Sequence, residues 1–336
     1  MKKNRQSLLL FGIIRVVKLD TFSILSEFFF DPKKRVCVLY LLSALVIGLA
    51  WMLLAERRTL MSAIKSFFCK ELWWSQSTQL DYILLFLNKV VFSVFSKFWL
   101  SSTVVTFLIF ETLHEIIPNR PNFEIDSYII VIFFTAVIFI LDDVTKYLLH
   151  WLLHNVPALW VFHKVHHSAT QLTPFTIFRT HPAEMFLFSA RSILVRSFTI
   201  AIFIYLFGDA VDLLTVLGVN VGLFLFHFLG SNLRHSRYYI TYWDWLELWL
   251  ISPAQHQIHH SQDLSHHGKN LGIVFAIWDR IFGTLLVSQQ KMSLEFGIID
   301  EEKDHLLSLK YVYFGSFYAA FRTAINSFKK GNISNV

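Results

Sequence analysis

The segment YIIVIFFTAVIFILDDVTKYLLHWLLH, residues 128–154, carries two messages in one helix. Tyr128 to Leu141 contains no charged residue, and the helical pattern of apolar positions runs on past Asp142 and Asp143 to His154. At about 1.5 Å per residue such a helix outruns a hydrocarbon core of about 30 Å. Its last turns therefore leave the bilayer with His150 and His154 four residues apart on one face. The segment predicts a membrane helix that delivers two imidazoles to the membrane boundary.

Working outward, the rest of the chain suits the same setting. Its 336 residues are 54% hydrophobic and 17% aromatic, with a mean hydropathy of +0.50. Charged residues are 16%, against about a quarter in soluble domains, so the surplus of Phe, Leu and Ile needs an environment other than water. The net charge of +6 is no sign of a nucleic-acid partner, because Lys and Arg lie in short groups between apolar runs, where they suit anionic headgroups. Cys37 and Cys69 make no CxxC pair, so neither a thiolate metal site nor a disulfide scaffold is indicated. Lys2, Lys3 and Arg5 precede a short apolar stretch, but Arg15 and Lys18 interrupt it and no small-x-small cleavage site follows. That stretch reads as an interfacial amphipathic segment rather than a signal peptide.

Further spans are expected at Val36 to Ala55, at Asp81 to about Trp99 (weaker, with Lys89 and Lys97) and at Leu100 to Ile117. Met185 to Phe207 and Val211 to Leu229, broken at Gly208-Asp209, read as a helical hairpin. Six crossings with a cytoplasmic N-terminus, or four with the second and third runs re-entrant, both keep the histidines on the cytoplasmic side. From Arg234 onward the chain is polar and aromatic with no further span. The expected fold is an all-α integral membrane protein of four to six transmembrane helices, with a cytosolic helical cap holding a histidine-rich di-metal site.

Thirteen of the fifteen histidines fall between His150 and His267, where an even spread would place about five. His163-Lys-Val-His166-His167 supplies positions i, i+3 and i+4, and His256-Gln-Ile-His259-His260 repeats the pattern. His227 ends the second hairpin helix, and His235 follows eight residues later. Neutral imidazole ligates iron, zinc, copper or nickel. Eight motif histidines plus His227 or His235 are too many for one ion and fit two; a single hydrolytic zinc would use three. His114 and His305 read as structural, His266-His267 as a polar loop, and His181 as either a ligand or a cap beside Pro182. Asp142, Asp143 and Glu184 are candidates to hold the far nitrogens of ligating imidazoles.

The three motifs together resemble the signature of the fatty acid hydroxylase/sterol desaturase superfamily of membrane di-iron enzymes. Ser252-Pro253-Ala254, Asn270-Leu271-Gly272, Trp278 to Thr284 and Arg179-Thr-His181-Pro182-Ala-Glu184 carry the resemblance further, over about Ile129 to Leu286. Bacterial sterol desaturase family proteins look nearest, alkylglycerol monooxygenases more distant. The resemblance implies two iron ions, O2 activation and attack on an unactivated C–H bond of a lipid (fatty acyl, sterol-like or ether lipid), by hydroxylation or desaturation. It makes ligands of His150, His154, His163, His166, His167, His256, His259 and His260, with a further one from His227 or His235. His227 is favoured, as it sits on a helix ending near the site. Some family members have an H-x3-H pair there, whereas this chain has Ser231 four residues after His227.

Residues 1–125 are then an N-terminal membrane region, 126–290 the catalytic domain and 291–336 a C-terminal cytosolic tail. No nucleotide, haem or iron–sulfur motif supplies electrons, which implies an external donor: a reductase, ferredoxin, cytochrome or pterin. The expected location is a bacterial inner membrane with the active site facing the cytoplasm. Pterin-dependent cleavage of an ether lipid is the alternative chemistry, and a non-catalytic membrane metal-binding protein the alternative class. A transporter would hold its ligands at mid-membrane in broken helices; here they gather at helix ends.

Overall fold

The computed structural model describes residues 21–96, 99, 101–121, 123–288, 292–299 and 308–333. The N-terminal stretch read as interfacial, and His305, lie outside them. Helices dominate: α1 (Thr21–Phe30), α2 (Val38–Leu54), α3 (Leu60–Phe67), α4 (Gln76–Phe95), α5 (Ser102–Ile116), α6 (Ser127–Asn155), α7 (Pro157–His167) and α8 (Pro182–Phe207) come first. After a two-stranded ribbon follow α9 (Val221–Phe228), α10 (Pro253–His259), α11 (Ile277–Phe282) and α12 (Ser316–Ile333).

Among the described residues three helices are long and apolar enough to cross a membrane: α4, α6, and α8 counted on to Ala210; α2 is a shorter apolar helix. On α6 the large apolar residues Ile129 and Phe133 stay more than half exposed, which is tolerable where the surroundings are hydrocarbon. α5 packs along α8 but has only 15 residues. The expected second arm of a hairpin is not a spanning helix. Thr215–Val216 pairs antiparallel with Val219–Asn220 through a two-residue turn at Leu217 and Gly218, both with positive φ. Only the eight residues of α9 remain helical, about 12 Å of rise. Hydropathy alone does not separate an apolar ribbon and short helix from a span.

α6 starts where the Asp126 side chain accepts from the Tyr128 amide (2.7 Å) and ends at Val156, whose successor Pro157 opens α7. The chain therefore reverses direction immediately beyond His154, and α7 returns three histidines to the same level. Arg179, wholly buried, fixes that return. Its Nη1 donates to Asp81 Oδ1 (3.1 Å) and Ser77 O (2.9 Å), and its Nε to Ser168 Oγ (3.0 Å), joining α4 to the end of α7. Leu80, Leu84, Val165 and Val312 close the apolar contact between the same elements. A second core of Ala44, Met52, Ala63, Leu233 and Tyr238 seats α2 and α3 against the loop that carries His235.

Candidate metal centre

The last motif is positioned by its own start signal. Ser252 Oγ accepts from the Gln255 amide (3.1 Å), Gln255 Oε1 accepts from the Ser252 amide (2.9 Å), and Pro253 occupies the first helical position. Glu247, wholly buried, accepts from Ser252 Oγ (2.6 Å), the Ser288 amide (2.7 Å) and the Ser288 hydroxyl, and so anchors this cap. His256, His259 and His260 project from the helix thus fixed.

Nine histidines converge in two groups. His150, His154, His163, His167 and His259 form one, and His166, His235, His256 and His260 the other; within each, the ligand-capable nitrogens lie within 4.8 Å of one another. The groups abut, with the His167 and His260 rings stacked 4.6 Å apart. All nine are buried except His154, which is partly exposed. Burial pushes His163, His167, His235, His256, His259 and His260 well below the ordinary imidazole value, and His166 down to about 3, with neighbouring imidazoles or cations reinforcing the shift. They are neutral at physiological pH, the form that ligates metal.

The hydrogen bonds of the five-histidine group set its tautomers. His150 Nδ1 meets Leu271 O (2.7 Å) and His259 Nδ1 meets Lys269 O (2.9 Å). Carbonyl oxygens only accept, so Nδ1 carries the proton and Nε2 keeps its lone pair. His163 Nδ1 meets Glu184 Oε1 (3.0 Å) in the same way. The Nε2 atoms then face inward: those of His150 and His163 are 3.1 Å apart, while those of His154, His167 and His259 are buried without a partner. Lone pairs converging in a buried space repel unless a cation lies among them. In the four-histidine group His235 Nε2 lies 3.0 Å from His256 Nε2 and 3.2 Å from His260 Nε2. The donor set fits one metal ion in each group, with all-nitrogen ligation suited to iron, zinc, copper or nickel.

Two aspartates shape the loop that offers those carbonyls. Asp279 accepts from the amides of Leu271 and Gly272 (both 2.7 Å), and Asp143 from those of Val274 (3.0 Å) and Phe275 (3.1 Å) and from Trp278 Nε1 (2.9 Å). A Cβ at Gly272 would stand 2.7 Å from both Asp279 Oδ2 and Phe275 O, which accounts for glycine there.

A cavity of about 520 Å³ reaches the cluster from between the helices. His150, His163, His166, His235 and His256 line one part of it, and Phe139, Phe178, Met185, Phe188, Leu223 and Phe226 supply apolar wall. A separate, more polar cleft meets His154, His167 and His259 from the other side, through Ser261, Gln262 and His267.

Residues 135–284 match the family model described as Fatty acid hydroxylase. That stretch, a little under half of the chain, is what resembles the fatty acid hydroxylase family. It is similar to alkylglycerol monooxygenase from Danio rerio, 26% identical over 159 residues, covering 45% of this chain and 30% of that protein. The human alkylglycerol monooxygenase is 25% identical over 150 residues, with the same two coverages. Ornithine lipid hydroxylase OlsE from Rhizobium tropici is 28% identical over 156 residues, covering 45% of this chain and 41% of that protein. The chain thus spans less than half the length of these relatives. No solved structure matches it.

The eight motif histidines all enter the two groups. Of the two residues weighed for a ninth place, His235 is in the cluster and His227 is not. Gly230, at φ 96°, ends α9 in a left-handed turn, and residues 231–234 swing His235 inward. His227 lines the cavity, its Nδ1 against Ser231 Oγ (3.0 Å) and its ring against Tyr40. His181 is a cap: its Nδ1 accepts from the Ala183 amide (3.0 Å) and its Nε2 meets Ser316 Oγ (2.9 Å). His114 packs with Tyr205, and His266 and His267 stand outside both groups. Glu184 reaches a clustered histidine as expected, whereas Asp142 pairs with Lys146 (2.6 Å) and Arg191 (2.9 Å), and Asp143 holds backbone amides. The carbonyls of Lys269 and Leu271 escaped sequence reasoning because a backbone acceptor carries no residue signature.

Proposed function

We propose that this chain is a membrane-bound oxygenase that holds two iron ions and hydroxylates or desaturates a lipid, using O2 and electrons from an external donor (a reductase, ferredoxin, cytochrome or pterin). One observation carries the reading: two abutting groups of neutral, buried imidazoles facing an apolar cavity. The family match, and the lipid-acting names of the similar proteins, point the same way. His150, His154, His163, His167 and His259 would hold one ion, and His166, His235, His256 and His260 the other. Bound there, the ions supply activation of O2 for attack on a C–H bond. We assign the catalytic unit to residues 126–290, place it in a bacterial inner membrane with the site facing the cytoplasm, and read 291–336 as a cytosolic tail.

The chain's own side chains do the rest. Leu271 O, Lys269 O and Glu184 orient the imidazoles, so the lone pairs are in place before an ion arrives. Phe139, Phe178 and Phe188 take up an acyl chain and keep water from the reacting carbon. The polar cleft beside His154 and His259 gives protons and water a path that does not cross the apolar cavity. Metal analysis of purified protein, with lipid profiles of a deletion strain complemented by wild type or by His259→Ala, tests this. About two irons per chain, and one lipid class that gains or loses oxygen or a double bond, are expected. One zinc per chain with an unchanged lipid profile would sink the proposal.

A further inference from the structure

One cation that lines the cavity has no carboxylate beside it. Six charged side chains line the cavity: Lys33, Arg35 and Lys146 against Asp142, Asp143 and Glu184. The three carboxylates are all engaged, Asp142 by Lys146 and Arg191, Asp143 by three N–H donors, and Glu184 by His163. Lys146 pairs with Asp142, whereas Lys33 and Arg35 pair with no carboxylate among the described residues. Arg35 Nη2 donates to Ser231 O (2.5 Å), but its Nε is buried with no partner, and no carboxylate pairs with the guanidinium among the described residues. The charge bearing on it is another cation, Arg234, whose own guanidinium is taken up by the carbonyls of Ile251 and Ile273. Burial and Arg234 lower Arg35 to about 9, which leaves it a cation at neutral pH. A half-buried cation without a counter-ion is costly to keep, and Arg35 lines the cavity that reaches the histidines.

We propose that Arg35, helped by the exposed Lys33, binds the anionic group, a carboxylate or phosphate, of an amphiphile whose apolar chain lies along the Phe139, Phe178 and Phe188 wall. The inference names the substrate class of the oxygenase read above and rests on that reading for the word substrate; the binding site stands without it. The planar fork of Arg35 suits a two-oxygen anion. Its tether at Ser231, whose hydroxyl meets His227, holds that anion beside the histidine cluster.

The test is binding without turnover. Metal-loaded, full-length protein in a neutral detergent is equilibrated with radiolabelled oleate, dodecyl phosphate or oleyl alcohol, with empty micelles as the blank. Wild type is expected to retain the two anions roughly tenfold more tightly than the alcohol. Arg35→Gln should erase that preference, Arg35→Lys should restore part of it, and Phe188→Ala should weaken all three probes alike. Should Arg35→Gln fail to fold, Lys33→Gln reads the same preference, lowered about threefold. Equal retention of oleate and oleyl alcohol by wild type, or an anion preference that survives Arg35→Gln, overturns the proposal. Displacement of oleate by equimolar inorganic phosphate overturns it too, since the site would then serve a free anion. Absent iron or an unchanged lipid profile defeats the oxygenase reading and leaves this result standing.

Discussion

The two histidine groups draw on the same helices but are built differently. In the five-histidine group three outer nitrogens are tied to protein acceptors: His150 to Leu271 O, His163 to Glu184 and His259 to Lys269 O. In the four-histidine group the Nδ1 atoms of His235, His256 and His260 are buried with no protein partner among the described residues. One of its members, His235, comes from a loop, and the cations Arg35 and Arg234 bear on it. Hydrogen bonds thus preorganise the first group, whereas packing holds the second in a positive field. A bound cation gains from ligands whose tautomer and direction are already fixed, and loses to nearby like charge. Of the two proposed metal sites, the five-histidine group should accordingly bind the more tightly.

The sharpest way to break this comparison is to remove one ligand from each side. His259→Ala should lose the ion of the five-histidine group and lower turnover by about a thousandfold or more. His235→Ala should halve the metal content yet leave that ion in place, and His227→Ala should keep both. Metal per chain after dialysis reads all three; equal loss from His227→Ala and His235→Ala would erase the distinction between them.

Next in size is the support of the first group. Glu184→Gln leaves His163 in place but weakens the acceptor behind it, so metal affinity there should fall roughly 10- to 100-fold. Competition with a graded chelator measures this, and the wild-type titration should release the four-histidine ion first. Release in the opposite order would reverse the ranking of the two sites.

Gly272→Ala tests the loop that offers Leu271 O. The new Cβ meets the Phe275 carbonyl and the Asp279 carboxylate, and overpacking of this kind costs about 1–3 kcal/mol. A lowered melting temperature with weaker binding at the five-histidine group is expected. An unchanged melting temperature would show that the loop relaxes freely.

The remaining effect is on pH dependence. Burial depresses these imidazoles in the folded chain, so below about pH 6.5 the unfolded chain binds more protons than the folded one. Metal-free protein should therefore lose stability as pH falls through that value and keep it above. Thermal unfolding of chelated samples at either side of the transition measures it, and flat behaviour would contradict the burial of neutral imidazoles.

Much of the centre was legible in one dimension because its signals are local. The i, i+3, i+4 spacing at His163 and His256 fixes which imidazoles share a helix face, and the Ser252-Pro253-x-Gln255 start signal fixes where the third motif begins. The ninth histidine was not legible. Helix-end logic favoured His227, but the left-handed Gly230 turn lets a residue eight positions later occupy the place. The Val211–Leu229 run was apolar enough to pass for a span, although Leu217-Gly218 folds part of it into a ribbon. Arg35 stands far from the motifs in sequence and is brought to them by hydrogen bonds with Ser231 and Asn232.

By itself, then, the sequence determined the membrane setting, the helical class and eight of the nine clustered histidines, since hydropathy and helical periodicity act over a few turns of one chain segment. Tertiary structure alone decided the division into two groups, the entry of His235, the carbonyls that orient His150 and His259, and the unpaired guanidinium of Arg35 in the cavity. Each of these depends on which distant backbone or side-chain atoms come within hydrogen-bonding or Coulombic reach, and local spacing holds no record of that.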